Sequence, residues 1–299
     1  MMKETRDIIF LKPILNGFGQ VMLQKNQMTG IFFLAGVFWS NWYCGLAGTL
    51  AGLAGCVLAR IRRFPQQEID DGLYAFSPIL VGTALATQFD HSLLVWISAI
   101  LGGVGAASLQ RYFIAKKIPV FTLPFILMTW ALIVVARQFP SAFPGQLGSM
   151  TALNSFSGLQ AGTNGFGEVF FQSSALSGVL FFVGVFVNRP ISALYALAAS
   201  FLGAVFAQVF GQPIEMIHLG LFGFNAVLTA IVFSGNEKSD GAWVLIGVAV
   251  TVALDIFLSS KGTLSFVGGA FTLPFVLGTW LTLGLQKIVA RSSWSAFFP

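Results

Sequence analysis

Charged side chains make up only 9% of this 299-residue chain, against roughly 25% in an ordinary soluble domain. So little charge cannot coat a water-soluble fold, which excludes a soluble enzyme. Histidine occurs only as His91 and His218, with no HExxH and no His/Cys cluster, so a catalytic metal site is not expected. The two cysteines, Cys44 and Cys56, sit in apolar runs without a CxxC and read as small buried hydrophobes. There is no phosphate-binding GxxxxGK[ST] loop, no GxSxG elbow, no TVGYG filter and no Arg-rich voltage-sensing helix. The N-terminal MMKETRDIIF lacks the apolar core of a cleavable signal peptide. The net charge of +5 is modest and reads as loop topology, not as a nucleic-acid footprint. No cofactor is expected, and no enzyme activity.

Hydrophobicity is abundant instead, at 56% of residues with a mean hydropathy of +0.82. The expected fold class is an all-α polytopic membrane protein. Gly, Pro and charge cut the first half into apolar segments near 28–40, 43–60, 72–88, 92–113 and 119–137. The second half gives 176–187, 191–210, 219–234, 242–258 and 266–287. Several fall short of the roughly 20 residues that a full span needs. Short, Gly- or Pro-interrupted segments at matching places in two halves point to re-entrant or broken helices at a binding site.

The halves do match. NGFGQVMLQKNQMTGIFFLAGVF at 16–38 aligns without gaps to NGFGEVFFQSSALSGVLFFVGVF at 164–186, with eleven identities in twenty-three. GLYAFSPILVGTAL at 72–85 pairs with GLFGFNAVLTAIVF at 220–233, and FTLPFILMTW at 121–130 with FTLPFVLGTW at 271–280. Three collinear matches mean one duplicated unit. We therefore expect a first repeat over 1–140, an extracytoplasmic linker over 141–163 and a second repeat over 164–299. Five segments per half is odd, so the second copy is expected to run through the membrane upside down. Loop charge agrees with an inverted repeat whose termini are both cytoplasmic. Thirteen of the sixteen Lys and Arg then fall on inner loops, Arg137 and Lys261 stay outside, and Lys25 is unplaced.

Polar positions recur with the repeat. Gln20 and Glu168 are equivalent, and each follows Asn-Gly-Phe-Gly, which suggests a turn that opens a short helix. A carboxylate there would sit at the favourable end of the helix dipole, and Glu168 is the only charged residue from Gln138 to Val187. Thr122 and Thr272 precede Pro124 and Pro274, whose rings are expected to free the carbonyls of Val120 and Ala270. Phe76/Leu80 and Phe224/Leu228 recur at i, i+4 beside the tight Ser77-Pro78 and Asn225-Ala226 stretches. Such a lining of apolar walls and acceptor oxygens suits a small neutral polar solute better than an ion.

These duplicated blocks, in this order and across essentially the whole chain, resemble the urea transporter family. The resemblance implies ten spanning helices and two half-membrane pore helices per protomer, a homotrimer in the plasma (bacterial inner) membrane, and passive urea conduction. It implies that Gln20 and Glu168 mark the two vestibules, and that Phe76 and Phe224 clamp the solute opposite Leu23 and Phe171. Leu23 departs from the expected aromatic. Val21, Leu80, Val169 and Leu228 would wall the slot, with Thr122 and Thr272 at its constriction. Ser77 stands where the second half keeps Asn225. A channel for ammonia, water or short amides is the alternative, as is a proton-coupled carrier using Glu168 or Asp255. Asp255 lies near a segment end, where a solvated position is expected.

Overall fold

The computed structural model describes residues 4–145, 158–260, 262 and 264–295. Lys3, Lys261 and linker positions 146–157 lie outside these, and so do the side chains of Arg6 and Arg291. The described residues form fourteen α-helices and one 3-10 turn, with no strand among them. Five helices are long and apolar enough to cross a membrane: α3 (Trp42–Ile61), α6 (Leu93–Ala115), α10 (Pro190–Val209), α13 (Lys238–Ser260) and α14 (Leu273–Ser295). Shorter apolar helices stand between them: α2 (Gln27–Ser40), α7 (Leu123–Arg137), α9 (Ala175–Asn188) and α12 (Phe224–Phe233). The remaining elements are α1 (Glu4–Gln20), α4 (Gln66–Asp70), α5 (Phe76–Gln88), α8 (Gly158–Glu168) and α11 (Ile214–His218).

Local chemistry sets these boundaries. Asn26, Asn41 and Ser92 cap α2, α3 and α6 by accepting hydrogen bonds from free first-turn N–H groups. Leu101, Leu194, Leu245 and Leu281 are each more than half exposed on their helices. Such outward apolar faces would be a liability in water and suit contact with lipid. Helices approach closely through small residues: a Cβ on Gly82 would lie 2.4 Å from the Ala47 carbonyl oxygen, and one on Gly103 2.5 Å from that of Ala51. Cys44 and Cys56 are fully buried.

Equivalent residues of the two halves make reciprocal contacts. Thr29 Oγ1 donates to the Gly184 carbonyl at 2.7 Å, and its counterpart Ser177 donates to the Gly36 carbonyl at 2.8 Å. The Phe33 and Phe181 rings, themselves counterparts, meet edge to face at 5.4 Å. Within each half, Asn16 bonds the Asp70 carbonyl at 2.7 Å and Asn164 bonds that of His218 at 2.8 Å. These last bonds tie α1 and α8 to the breaks that follow α4 and α11. Gly72 and Gly220 sit at those breaks with φ +80° and +84°. A Cβ would lie 2.3 Å from the Gly17 nitrogen in the first copy and 2.5 Å from the Gly165 nitrogen in the second, so both conformation and contact demand glycine.

Candidate functional site

The duplicated Asn-Gly-Phe-Gly runs do not turn. They continue as helix, and Gln20 and Glu168 are the last residues of α1 and α8. The glycines serve packing: a Cβ on Gly17 would lie 2.4 Å from Ala75 Cβ, and one on Gly19 2.3 Å from the Gln24 carbonyl oxygen. The expected helix start is thus a helix end, and the electrostatic sign reverses. A C-terminus carries the negative end of the dipole and carbonyl oxygens, each with a second lone pair, which favour N–H donors. Gln20 Nε2 donates to the Asp71 carbonyl at 3.1 Å, and Glu168 accepts from Ser173 Oγ at 3.0 Å. Lys25 is paired with Asp71 at 2.8 Å beside this first helix end.

Both ends close in the same way. Gln24 N–H reaches back to the Gly19 carbonyl and Gln172 N–H to the Gly167 carbonyl, leaving Leu23 at φ +58° and Phe171 at φ +59°. Glycine is the usual residue at this C′ position. A large side chain held there costs about 1 kcal/mol or more, and strain retained twice points to a role for the side chain. Phe121 and Phe271 repeat the pattern at φ +49° and +48°.

Next to them the FTLPF blocks meet. Thr122 Oγ1 and Thr272 Oγ1 lie 2.7 Å apart, both buried. The Phe121 ring packs on Phe275 at 5.2 Å, and Phe125 packs on Phe271 at 5.5 Å. The Trp that ends each block explains its recurrence. Trp130 Nε1 donates to the Gly269 carbonyl at 2.9 Å and Trp280 Nε1 to the Pro119 carbonyl at 2.6 Å, so each copy anchors the loop that leads into the other's threonine. The expected proline effect is corrected. Pro124 and Pro274 stand in the first turns of α7 and α14, where no intrahelical bond is lost. The Val120 and Ala270 carbonyls accept from the Leu123 and Leu273 N–H groups.

A cavity of about 240 Å³ opens beside this meeting point, lined by Gln20, Val21, Leu23, Phe76, Thr122, Phe121, Phe275 and Gln110 among others. It gathers the first-half residues expected at the site, apart from Leu80. Leu80 and Leu228 are fully buried in the core, and Leu80 does not line this cavity. In the second half Val169 is buried, and Phe171 touches Phe125 at 6.2 Å and Phe271 at 5.9 Å. Phe224 heads α12, partly buried in the same apolar cluster. Ser77 and Asn225 lie in the first turns of α5 and α12 rather than in separate turns. A second cavity, about 410 Å³, lies against Arg62 and Arg111, and none of its lining residues belongs to the duplicated blocks.

Asp255 is not solvated at a segment end. It is buried and accepts from Asn225 Nδ2 at 2.9 Å and from Ser259 Oγ at 3.4 Å, because α13 runs on to Ser260. Asn225 also bonds the Phe271 carbonyl at 3.3 Å and the Phe275 N–H at 3.2 Å. Asn225 was singled out from the sequence only as the counterpart of Ser77, and Gln110, Phe125 and Phe275 were not singled out at all. The last two carried a signal, since they are the fifth residues of the duplicated FTLPF blocks.

Fold and site together define an integral membrane protein of α-helices, built from two matching halves whose FTLPF blocks meet through Thr122 and Thr272. The family model for urea transporters matches residues 11–287, and the chain belongs to that family. It is similar to urea transporter 1 of Rattus norvegicus, 26% identical over 245 residues, covering 76% of this chain and 63% of the rat protein's length. It is also similar to urea transporter 1 of Ovis aries, 26% identical over 297 residues, covering 92% of this chain and 76% of the sheep protein. The Capra hircus counterpart is 25% identical over the same length.

Proposed function

We propose that this protein conducts urea passively through a pore between the two copies, with Thr122 and Thr272 at its narrowest point. The observation that carries this reading is the 2.7 Å contact of those threonines, flanked by two matching phenylalanine pairs. Urea is planar, with four N–H donors and one carbonyl acceptor. Apolar rings admit its flat faces and exclude hydrated ions, whose dehydration is costly. The carbonyl-bearing ends of α1 and α8, with Gln20 and Glu168, supply acceptors along the way, and the threonines supply two hydroxyls. Several weak sites allow exit as well as binding.

The finer architecture follows as part of the proposal. The halves 1–140 and 164–299, joined by 141–163, form an inverted repeat with a short pore helix each, α1 and α8. Both termini are cytoplasmic in a plasma membrane, and three protomers assemble with a pore apiece. The reciprocal contacts of α2 and α9 support the two-fold relation, and the Lys and Arg distribution supports the orientation. A second reading, a proton-coupled carrier, is favoured by one observation: the buried Asp255 carboxylate behind Phe271. Stopped-flow light scattering on proteoliposomes separates the two. Rapid urea flux above empty liposomes, unchanged by an imposed pH gradient, is expected. Flux that follows the proton gradient transfers the assignment to the carrier, and no flux overturns both.

A further inference from the structure

We infer that Gln110 is a specificity-determining residue that receives the carbonyl oxygen of urea in the Gln20 vestibule. This rests on the channel reading above and adds to it a residue outside the duplicated blocks. Gln110 is 5% exposed on α6, and its side chain lines the 240 Å³ cavity together with Gln20, Phe76, Phe121 and Phe275. Its Oε1 accepts from Ser77 Oγ at 3.4 Å, and its Nε2 has no hydrogen-bond partner among the described residues. Gln20 is oriented the other way. Its Nε2 is committed to the Asp71 carbonyl at 3.1 Å, which leaves Oε1 as the free atom.

One cavity thus holds an amide with a free acceptor and an amide with a free donor. Urea needs both at once: Gln20 Oε1 takes an N–H, and Gln110 Nε2 gives a hydrogen bond to the carbonyl. A helix end rich in carbonyls cannot serve the urea oxygen, so a donor has to come from elsewhere. The phenylalanine faces hold the plane of the molecule, and the two amides choose its direction within that plane.

The second half does not repeat this arrangement. Helices α6 and α13 are both 23 residues long, and the Ser77–Gln110 contact corresponds to the Asn225–Asp255 contact. Asp255 accepts from Asn225 and Ser259, and as a carboxylate it offers no donor. Asn225 in turn is occupied with the Phe271 carbonyl and the Phe275 N–H. The same structural position therefore braces the phenylalanine pairs on one side and reads the solute on the other.

The test compares urea with thiourea, whose sulfur is a poor hydrogen-bond acceptor but whose N–H groups and plane are the same. Permeability of both is measured at low concentration in proteoliposomes of the full chain, for wild type, Gln110→Leu and Gln110→Glu. Loss of one net hydrogen bond predicts a urea permeability lower by about three- to tenfold, with thiourea far less affected, so the urea-to-thiourea ratio falls. Gln110→Glu keeps the shape and removes the donor, and it carries the test alone should the leucine variant fail to assemble. A ratio that stays at the wild-type value in an assembled variant overturns the assignment, including the case where both solutes slow equally. Wild type without urea flux instead overturns the channel reading itself.

Discussion

Replacing both threonines by valine, Thr122→Val/Thr272→Val, separates a conducting role from a structural one. Valine keeps the shape and deletes the hydroxyl. In the resting protein the two hydroxyls satisfy each other at 2.7 Å in a buried place. Removing both partners together leaves no polar atom stranded and is close to neutral for stability. Removing one strands the other, at about 1–3 kcal/mol, so either single variant unfolds before the double. In the proposed pore, permeant urea would exchange the mutual bond for bonds to both hydroxyls. A net hydrogen bond is worth about 1 kcal/mol, so the double variant faces a barrier higher by about 1–2 kcal/mol, or about five- to thirtyfold slower flux. Stopped-flow light scattering reads the flux, and thermal unfolding in detergent reads stability. Wild-type flux in a folded double variant, or a double variant less stable than both singles, would refute the reasoning.

Three further outcomes follow from the geometry. Gly72→Ala places a Cβ against the Gly17 nitrogen at φ +80°, so it should cost more than about 2 kcal/mol and yield little assembled protein on size-exclusion chromatography; normal assembly would contradict the close crossing. Asn225→Ala removes the brace on the Phe271 carbonyl and Phe275 N–H and leaves Asp255 short of a donor. It should lower thermal stability by about 1–3 kcal/mol and widen selectivity toward methylurea, as read in the same flux assay. Leu23→Gly relieves a left-handed leucine at φ +58° while deleting a half-buried cavity wall, so stability should change by less than about 1 kcal/mol while urea discrimination against acetamide falls.

The sequence made the large-scale plan legible because duplication is a statement about whole blocks. The ten apolar segments fall on helices, and the paired FTLPF threonines meet. Local direction was harder to read. Glycine in Asn-Gly-Phe-Gly has two causes, a turn or a close approach, and only the positions of Ala75 and the Gln24 carbonyl show that the second operates. That choice decides whether Gln20 and Glu168 sit at the positive or the negative end of a helix. Pro124 carried the same ambiguity, since proline breaks a helix interior but suits a first turn. The left-handed Leu23, Phe121, Phe171 and Phe271 left no trace, because large apolar residues give no conformational signal of that kind. Asp255 was misplaced because α13 extends past its apolar stretch, and Gln110 passed unnoticed because nothing in its local sequence announces the cavity that folding builds around it.

The proposed pore requires urea to pass between Thr122 and Thr272. The most direct measurement is urea flux through Thr122→Cys/Thr272→Cys, made in a background where Cys44 and Cys56 are alanine. Side-chain atoms 2.7 Å apart in the native protein are close enough for a disulfide to form with little adjustment. Oxidation, confirmed by mass spectrometry, should abolish urea flux in proteoliposomes, and dithiothreitol should restore it. Undiminished flux with the bond formed would place the solute's path elsewhere in the protein.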